Sequence, residues 1–338
     1  MNIFEAIADA NFNYETYAVT VADGDPAGEK ALFSNGSMTC CSRADGFLKA
    51  HENEIVKELG SGLMEIDGCE VFAELLGNEK QVIICGAGHL SMPLISICRM
   101  MGMHVTVVDD RPEFAKNAER QGADRVICKS FAEAFREIEG SDDSYFVVVT
   151  RGHRYDKDCV AGALRKRHAY VGMIGSARHA HFVRESLREE GLSDEIIDTI
   201  YTPIGLDIGA ETPEEIAVAI AAELIQIKNE KRRNFGFPKE IIKAVLEEER
   251  EPMILATIVS REGSAPRAEG TKMLVKPDGS IIGTVGGGVA EADVITYCKE
   301  LLKEGFSGAE MTYHDLAAFA DEDGMVCGGN IKVLLEAV

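Results

Sequence analysis

The sequence lacks any surplus of positive charge. Its 35 lysines and arginines are outnumbered by 57 aspartates and glutamates, for a formal net charge of -22. A surface of that sign repels phosphate, which argues against nucleic acid and anionic membrane as partners. Long apolar runs are missing too: none approaches the roughly 20 residues that span a bilayer. The opening MNIFEAIADANF contains acid and no basic n-region, so no secretory signal is expected. There are nine cysteines, but no CxxC pair and no spacing of the secreted kind. Such an odd, scattered set is expected in a reducing cytoplasm rather than in a disulfide framework. Length and apolar content are what the chain does have. With 338 residues, 46% of them hydrophobic, it is expected to form two or three packed domains.

From residue 81 the pattern alternates. QVIICGAG, HVTVVDD, ADRVIC, YFVVVT and AYVGMIGS are short, continuously apolar, β-branched runs separated by helical spacings such as LSMPLISICRMMG and SFAEAFREI. Strands apolar on both faces with helices between them imply a doubly wound parallel sheet of Rossmann type. The series ends in TPEEIAVAIAAELIQIKN, where Thr212, Pro213 and two glutamates suit a helix start. A charged stretch follows, read as a linker with one helix after Pro238. The last part, with MILATIVS, TKMLVKPDGSIIGTV and NIKVLLEA, reads as a small β-rich α+β domain. A weak repeat is also present: GEKALFSNGS near the start resembles GTKMLVKPDGS near the end, and GCEVFAELL resembles GNIKVLLEAV. Duplication and mere likeness between hairpins both fit these letters. Ungapped, Glu65 falls opposite Cys327.

The candidate sites lie in glycine-rich turns. CGAGHLSMP follows a strand and opens a helix. Gly86 permits a tight turn, Gly88 lets backbone approach a phosphate, and the helix start supplies free amides. The third glycine of GxGxxG is absent, and Ser91 replaces it. Asp109 ends the next strand, where a carboxylate binds ribose hydroxyls in dinucleotide folds, and His89 lies within the loop itself. Arg151, His153 and Asp156 follow the strand YFVVVT. Gly175 and Ser176 follow the next strand. In the C-terminal part, Ser264 and Arg267 sit in GSAPRAEG, and Gly286, Gly287, Gly288 and Glu291 sit in GTVGGGVAE. Three consecutive glycines suit close approach of a ligand to backbone. Arg267 is a candidate for phosphate or for a salt bridge with Glu291. Cys327 and Gly328 belong to the closing CGGN. There the thiol is either a plain turn residue or a soft ligand.

Together these motifs resemble the xanthine dehydrogenase accessory family, XdhC/CoxI. The matching stretches are CGAGH, VTVVDDRPEFA, VVVTRGHRYD, VGMIGSARH and PIGLDIGAETPEEIAVAIAAELI, then ATIVSREGSAPRAEGTKMLV, GTVGGGVAE and CGG. The resemblance implies a maturation factor of the cytoplasm, a cofactor chaperone more than a turnover enzyme. Such a factor binds the molybdenum cofactor, a molybdopterin with or without a dinucleotide tail. It assists sulfuration with a cysteine desulfurase and delivers the cofactor to a molybdenum hydroxylase apoenzyme. The resemblance makes Cys327 the sulfur relay or molybdenum ligand; His153, after the strand YFVVVT, is a further candidate catalytic group. It implies residues 1–78 as a degenerate small domain, 79–230 as the Rossmann-like domain, 231–251 as a linker helix and 252–338 as the XdhC/CoxI-type domain. A homodimer is expected from open sheet edges. Two features depart from the family: its usual order places the small domain first, and Val289 stands where some members carry a cysteine. One alternative is an NAD(P)-dependent oxidoreductase using Asp109 for ribose and His153 with Asp156 as acid and base. Another is an assembly module whose nucleotide loop only regulates docking.

Overall fold

The computed structural model describes residues 2–151, 155–231, 236–247, 251–263, 267–315 and 329–338. The chain forms two compact units, one of residues 78–233 and one that joins residues 1–77 to residues 234–338. No helix among the described residues is long and apolar enough to cross a membrane.

The joined unit begins with α1 (Ile3–Asp9), β1 (Thr16–Val21), β2 (Lys30–Ser34), β3 (Ser37–Cys41), α2 (Phe47–Ala50), α3 (Glu52–Glu58), β4 (Gly62–Ile66) and β5 (Cys69–Leu75). The second unit follows with β6 (Gln81–Cys85), α4 (Ser91–Met100), β7 (His104–Val108), α5 (Pro112–Arg120), β8 (Arg125–Ile127), α6 (Phe131–Glu137), β9 (Ser144–Val148), α7 (Asp156–Leu164), β10 (Tyr170–Met173), α8 (Ala177–Glu189), α9 (Asp194–Ile197) and α10 (Pro213–Lys231). The chain then returns to the first unit with α11 (Lys239–Leu246), β11 (Ile254–Gly263), β12 (Lys272–Val275), β13 (Ile281–Gly283), α12 (Gly288–Lys303), β14 (Ala309–Asp315) and β15 (Gly329–Ala337).

The second unit is the doubly wound sheet the sequence implies. Its five parallel strands run in the order β10-β9-β6-β7-β8. Alternate residues of each strand face opposite sides. Val82, Ile84, Val105 and Val107 pack with Leu94 of α4 and Leu224 of α10. Ile83, Phe146 and Val171 pack on the other side with Phe131 of α6, Val160 of α7 and Val183 of α8. Both faces are therefore dry, which is why the strands contain so little polar sequence. The strand order reverses between β6 and β9. A crevice opens at such a switch point, beyond the carboxyl ends of the strands.

The joined unit holds two antiparallel sheets of five strands, ordered β3-β2-β1-β5-β4 and β13-β12-β11-β15-β14. Their registers agree as well as their order. Thr20 of β1 faces Lys30 and Phe72, and Thr257 of β11 faces Lys272 and Leu334. One face of each sheet is covered by its own helices, α2 and α3 in the first and α12 in the second. The other faces share a core to which both α1 and α11 contribute, with Phe4 edge-on to Phe237 at 5.9 Å. The stretch read from sequence as a linker helix is thus partly core: Ile241, Ala244 and Val245 of α11 are buried beside Ile3 and Ile7. Its charged flanks hide a short apolar face from a composition-based reading.

Phe146 lies on the interior strand β9, fully buried and stacked on Phe135 at 5.9 Å. Phe146→Ala should destabilise the parallel-sheet unit by about 3–5 kcal/mol. Chemical denaturation followed by circular dichroism checks this, with an early transition for that unit as the expected result.

Candidate functional site

The β6–α4 loop lies at the switch point. Gly86 has φ +110°, and a Cβ there would lie 2.5 Å from the carbonyl oxygen of Val149, so only glycine fits. A Cβ on Gly88 would meet nothing within 4 Å. Gly88 therefore leaves that side of the loop open. Ser91 does more than replace a small residue: its hydroxyl, fully buried, donates to the Gly86 carbonyl at 2.6 Å and ties the loop to the first turn of α4. No side chain caps the start of α4. The Ser91 amide donates to the Gly88 carbonyl at 3.0 Å and Pro93 has no N–H, so what this helix start offers an anion is chiefly the positive end of its dipole. His89 is exposed on the same loop.

Asp109 ends β7 but does not face an open ribose pocket. It is 2% exposed and accepts from the Ala87 amide at 2.8 Å, from the Arg111 amide at 3.0 Å, and from Arg111 Nε and Nη2 at 2.8 Å each. The Arg111 guanidinium also stacks over Phe114, 3.4 Å from the ring centre. Burial pushes the Asp109 carboxyl up, but the bonds from Arg111 and from the two amides outweigh it and hold it below its ordinary value. Asp109 thus fastens the end of β7 to the glycine loop. Arg151 is exposed and reaches Asp110 at 3.2 Å.

Sequence reasoning missed one group here, His179. Asp156, the fully buried first residue of α7, accepts from the Thr150 hydroxyl at 2.6 Å and lies 3.0 Å from His179 Nε2. This contact fixes the orientation of the imidazole. Ser176 caps α8 by accepting from the His179 amide at 3.3 Å. A Cβ on Gly175 would lie 2.9 Å from the His179 ring, so this glycine makes room for the imidazole. The available signal was the closing histidine of VGMIGSARH, one turn into a helix at the ligand-bearing sheet edge. His153 lies outside the described residues.

In the C-terminal sheet the glycine turn has φ of +137°, +76° and +68° at Gly286, Gly287 and Gly288. A Cβ on Gly287 or Gly288 would meet nothing within 4 Å, so backbone conformation is what requires glycine. Glu291 accepts from the Thr284 hydroxyl and from the amides of Val285 at 3.0 Å and Gly287 at 3.1 Å. Burial pushes its carboxyl up, and these bonds bring it below its ordinary value. Glu291 therefore anchors the turn from within, and the bonds it makes are to this turn, not to Arg267. Arg267 is exposed and makes no ion pair among the described residues. Ser264, Cys327 and Gly328 lie outside the described residues.

A doubly wound sheet with this loop, followed by a small domain with a triple-glycine turn, defines a class of protein. Residues 82–224 match the XdhC Rossmann domain, and residues 246–314 match the XdhC and CoxI family. These spans cover more than half of the chain, which belongs to the XdhC/CoxI family. It is 28% identical over 161 residues to "Uncharacterized protein YqeB" of Escherichia coli strain K12, covering 47% of this chain and 29% of that protein. It is also 28% identical over 158 residues to a probable xanthine dehydrogenase subunit of Bacillus subtilis strain 168, covering 47% of this chain and 46% of that protein. The matches thus span less than half the length of either curated relative. A crystal structure of a chain described as a xanthine dehydrogenase, from Bacillus halodurans, is 25% identical with a TM-score of 0.53, covering 65% of this chain and 64% of that one.

Two substitutions separate folding from binding in the loop. Gly86→Ala should impair folding, because its Cβ meets backbone. Gly88→Ala has room in the free protein, so its melting temperature should stay near wild type while phosphate-ligand affinity falls at least about tenfold. Calorimetric melting with ligand titration checks both. Because the folded pKa of Asp109 is depressed, its contribution is present above the ordinary carboxylate pKa and is lost as pH falls through the folded value. Melting temperature should hold from neutral pH to about pH 5 and then fall below about pH 4. Asp109→Asn should lower the plateau and flatten the acid limb.

Proposed function

We propose that this chain is an accessory factor of a xanthine dehydrogenase-type molybdenum hydroxylase. In this reading it carries the molybdenum cofactor as cargo, assists its sulfuration with a cysteine desulfurase, and hands it to the apoenzyme. The observation that carries this reading is the pairing of an XdhC Rossmann domain with an XdhC/CoxI domain in one chain. The name of the Bacillus subtilis relative supports the hydroxylase connection. The residues suit such a cargo. The open side of Gly88 and the uncapped start of α4 would hold a phosphate or dinucleotide tail. The open side of Gly287 and Gly288 would admit a flat pterin against backbone. Cys327 supplies a thiolate of the softness that molybdenum and sulfur transfer require. His179, held by Asp156, would keep or move a proton at the crevice.

The nicotinamide reading uses the same loop, but it also needs a carboxylate for the ribose diol. Both oxygens of Asp109 are already taken by Arg111 and Ala87. A ligand recognised first by its phosphate fits this crevice better.

The test is anaerobic purification with molybdenum analysis and pterin fluorescence. Wild-type protein should retain or take up both, and Cys327→Ala should lose at least about 90% of the molybdenum while remaining folded. Wild-type protein that takes up neither, yet binds nicotinamide nucleotide at micromolar concentration, would overturn the reading.

A further inference from the structure

We propose that residues 1–77 are a second copy of the small domain, kept as an in-chain partner. This copy covers the face by which two C-terminal domains would otherwise pair, and it has closed its own glycine turn. The inference is carried by packing within one unit and does not depend on the cargo.

Matching positions of the two sheets meet one another. Lys30 of β2 reaches Glu336 of β15 at 2.8 Å, and Lys272 of β12 reaches Glu74 of β5 at 2.7 Å. Lys30 and Lys272 hold the same register place, opposite Thr20 and Thr257, while Glu74 and Glu336 stand opposite Ala18 and Leu255. All four side chains are buried. Each half therefore gives a lysine to the other half and receives one, as two protomers related by a two-fold axis do. The apolar contact obeys the same rule: Ala22 and Val259, Phe72 and Leu334, and Leu63 and Met311 form one cluster of matched pairs. At another matched position Lys332 pairs with Glu70 at 2.8 Å. Two identical halves would set like charge against like there. The opposite signs show divergence toward pairing of an N-terminal half with a C-terminal half.

In each copy a carboxylate holds the turn by its amides, Glu291 in the C-terminal copy and Glu29 in the N-terminal one, but only in the N-terminal copy does it also fill the space beside the glycine. Glu29, buried, accepts the amides of Phe47 and Leu48 at 2.9 and 2.8 Å, and a Cβ on Gly46 would collide with its carboxylate. Glu29 precedes Lys30 as Thr271 precedes Lys272, and Gly46 stands at the N-cap of α2 as Gly287 does at that of α12. Strands β4 and β5 join through the two-residue turn Asp67 and Gly68, whereas residues 316–328, with Cys327, stand between β14 and β15. The ungapped pairing of Cys327 with Glu65 is thereby corrected. Glu65 lies on β4 opposite Glu70, its counterpart is Tyr313 opposite Lys332, and Cys327 has no counterpart.

The first test uses wild-type protein. Equal amounts of 14N- and 15N-labelled full-length chain are mixed and treated with a carbodiimide, and peptides linking Glu70 to Lys332 are weighed. Isotopically uniform links are expected. Links of mixed isotope would mean that these faces join two chains, and would overturn the proposal. The second test is charge reversal, with Lys30→Glu and Glu336→Lys each lowering the melting temperature by about 10 °C and the double variant recovering most of it. A double variant no more stable than the singles would also overturn it.

Discussion

Two buried lysine–glutamate pairs, Lys30 with Glu336 and Lys272 with Glu74, fix everything else in the joined unit. Apolar faces can slide over one another, but buried charges cannot. Leaving one of these groups unpaired costs about 3–5 kcal/mol, so the two sheets meet in one register or not at all. Burial pushes the Lys272 ammonium below its ordinary value, while the adjacent Glu74 opposes that shift. The same ammonium donates to the Gly270 carbonyl at 3.0 Å and lies over the Phe237 ring at 4.3 Å. Through Gly270 and β12 that single side chain connects the interface to the strand leading into the glycine turn and α12.

The parallel-sheet unit uses buried carboxylates in the same way. Asp109 holds the glycine loop against the end of β7, and Asp156 holds Thr150 and His179 together across the neighbouring loops. Neither carboxylate is left over for a ligand's hydroxyls. The open feature of this loop is the Gly88 side, while Arg151 pairs with Asp110 and His179 with Asp156.

Much of this was legible in the sequence. The five parallel strands were readable because strands buried on both faces must be apolar throughout, and the alternating helices separate them cleanly. The glycine loop was readable because Gly86 and Gly88 sit between an apolar strand and a helix. The repeat was visible only as two short matches, since burial preserves Lys30 with Lys272 and Glu74 with Glu336 while the surface drifted. What the letters could not give was pairing. Asp109 looked like a ribose ligand because nothing in the sequence says that Arg111 folds back on it. His179 is 23 positions from Asp156, and only the adjacency of β9 and β10 brings them together. The helix α11 looked like a linker because its charged neighbours outweigh three buried residues.

The central proposal is a two-lobed unit in one chain that takes its cargo at one turn, the glycine turn of the C-terminal copy. Native mass spectrometry of anaerobically loaded protein measures it directly. One pterin and one molybdenum per 36.7 kDa chain is the expected result. Two cargo molecules per chain, or one shared between two chains, would contradict it.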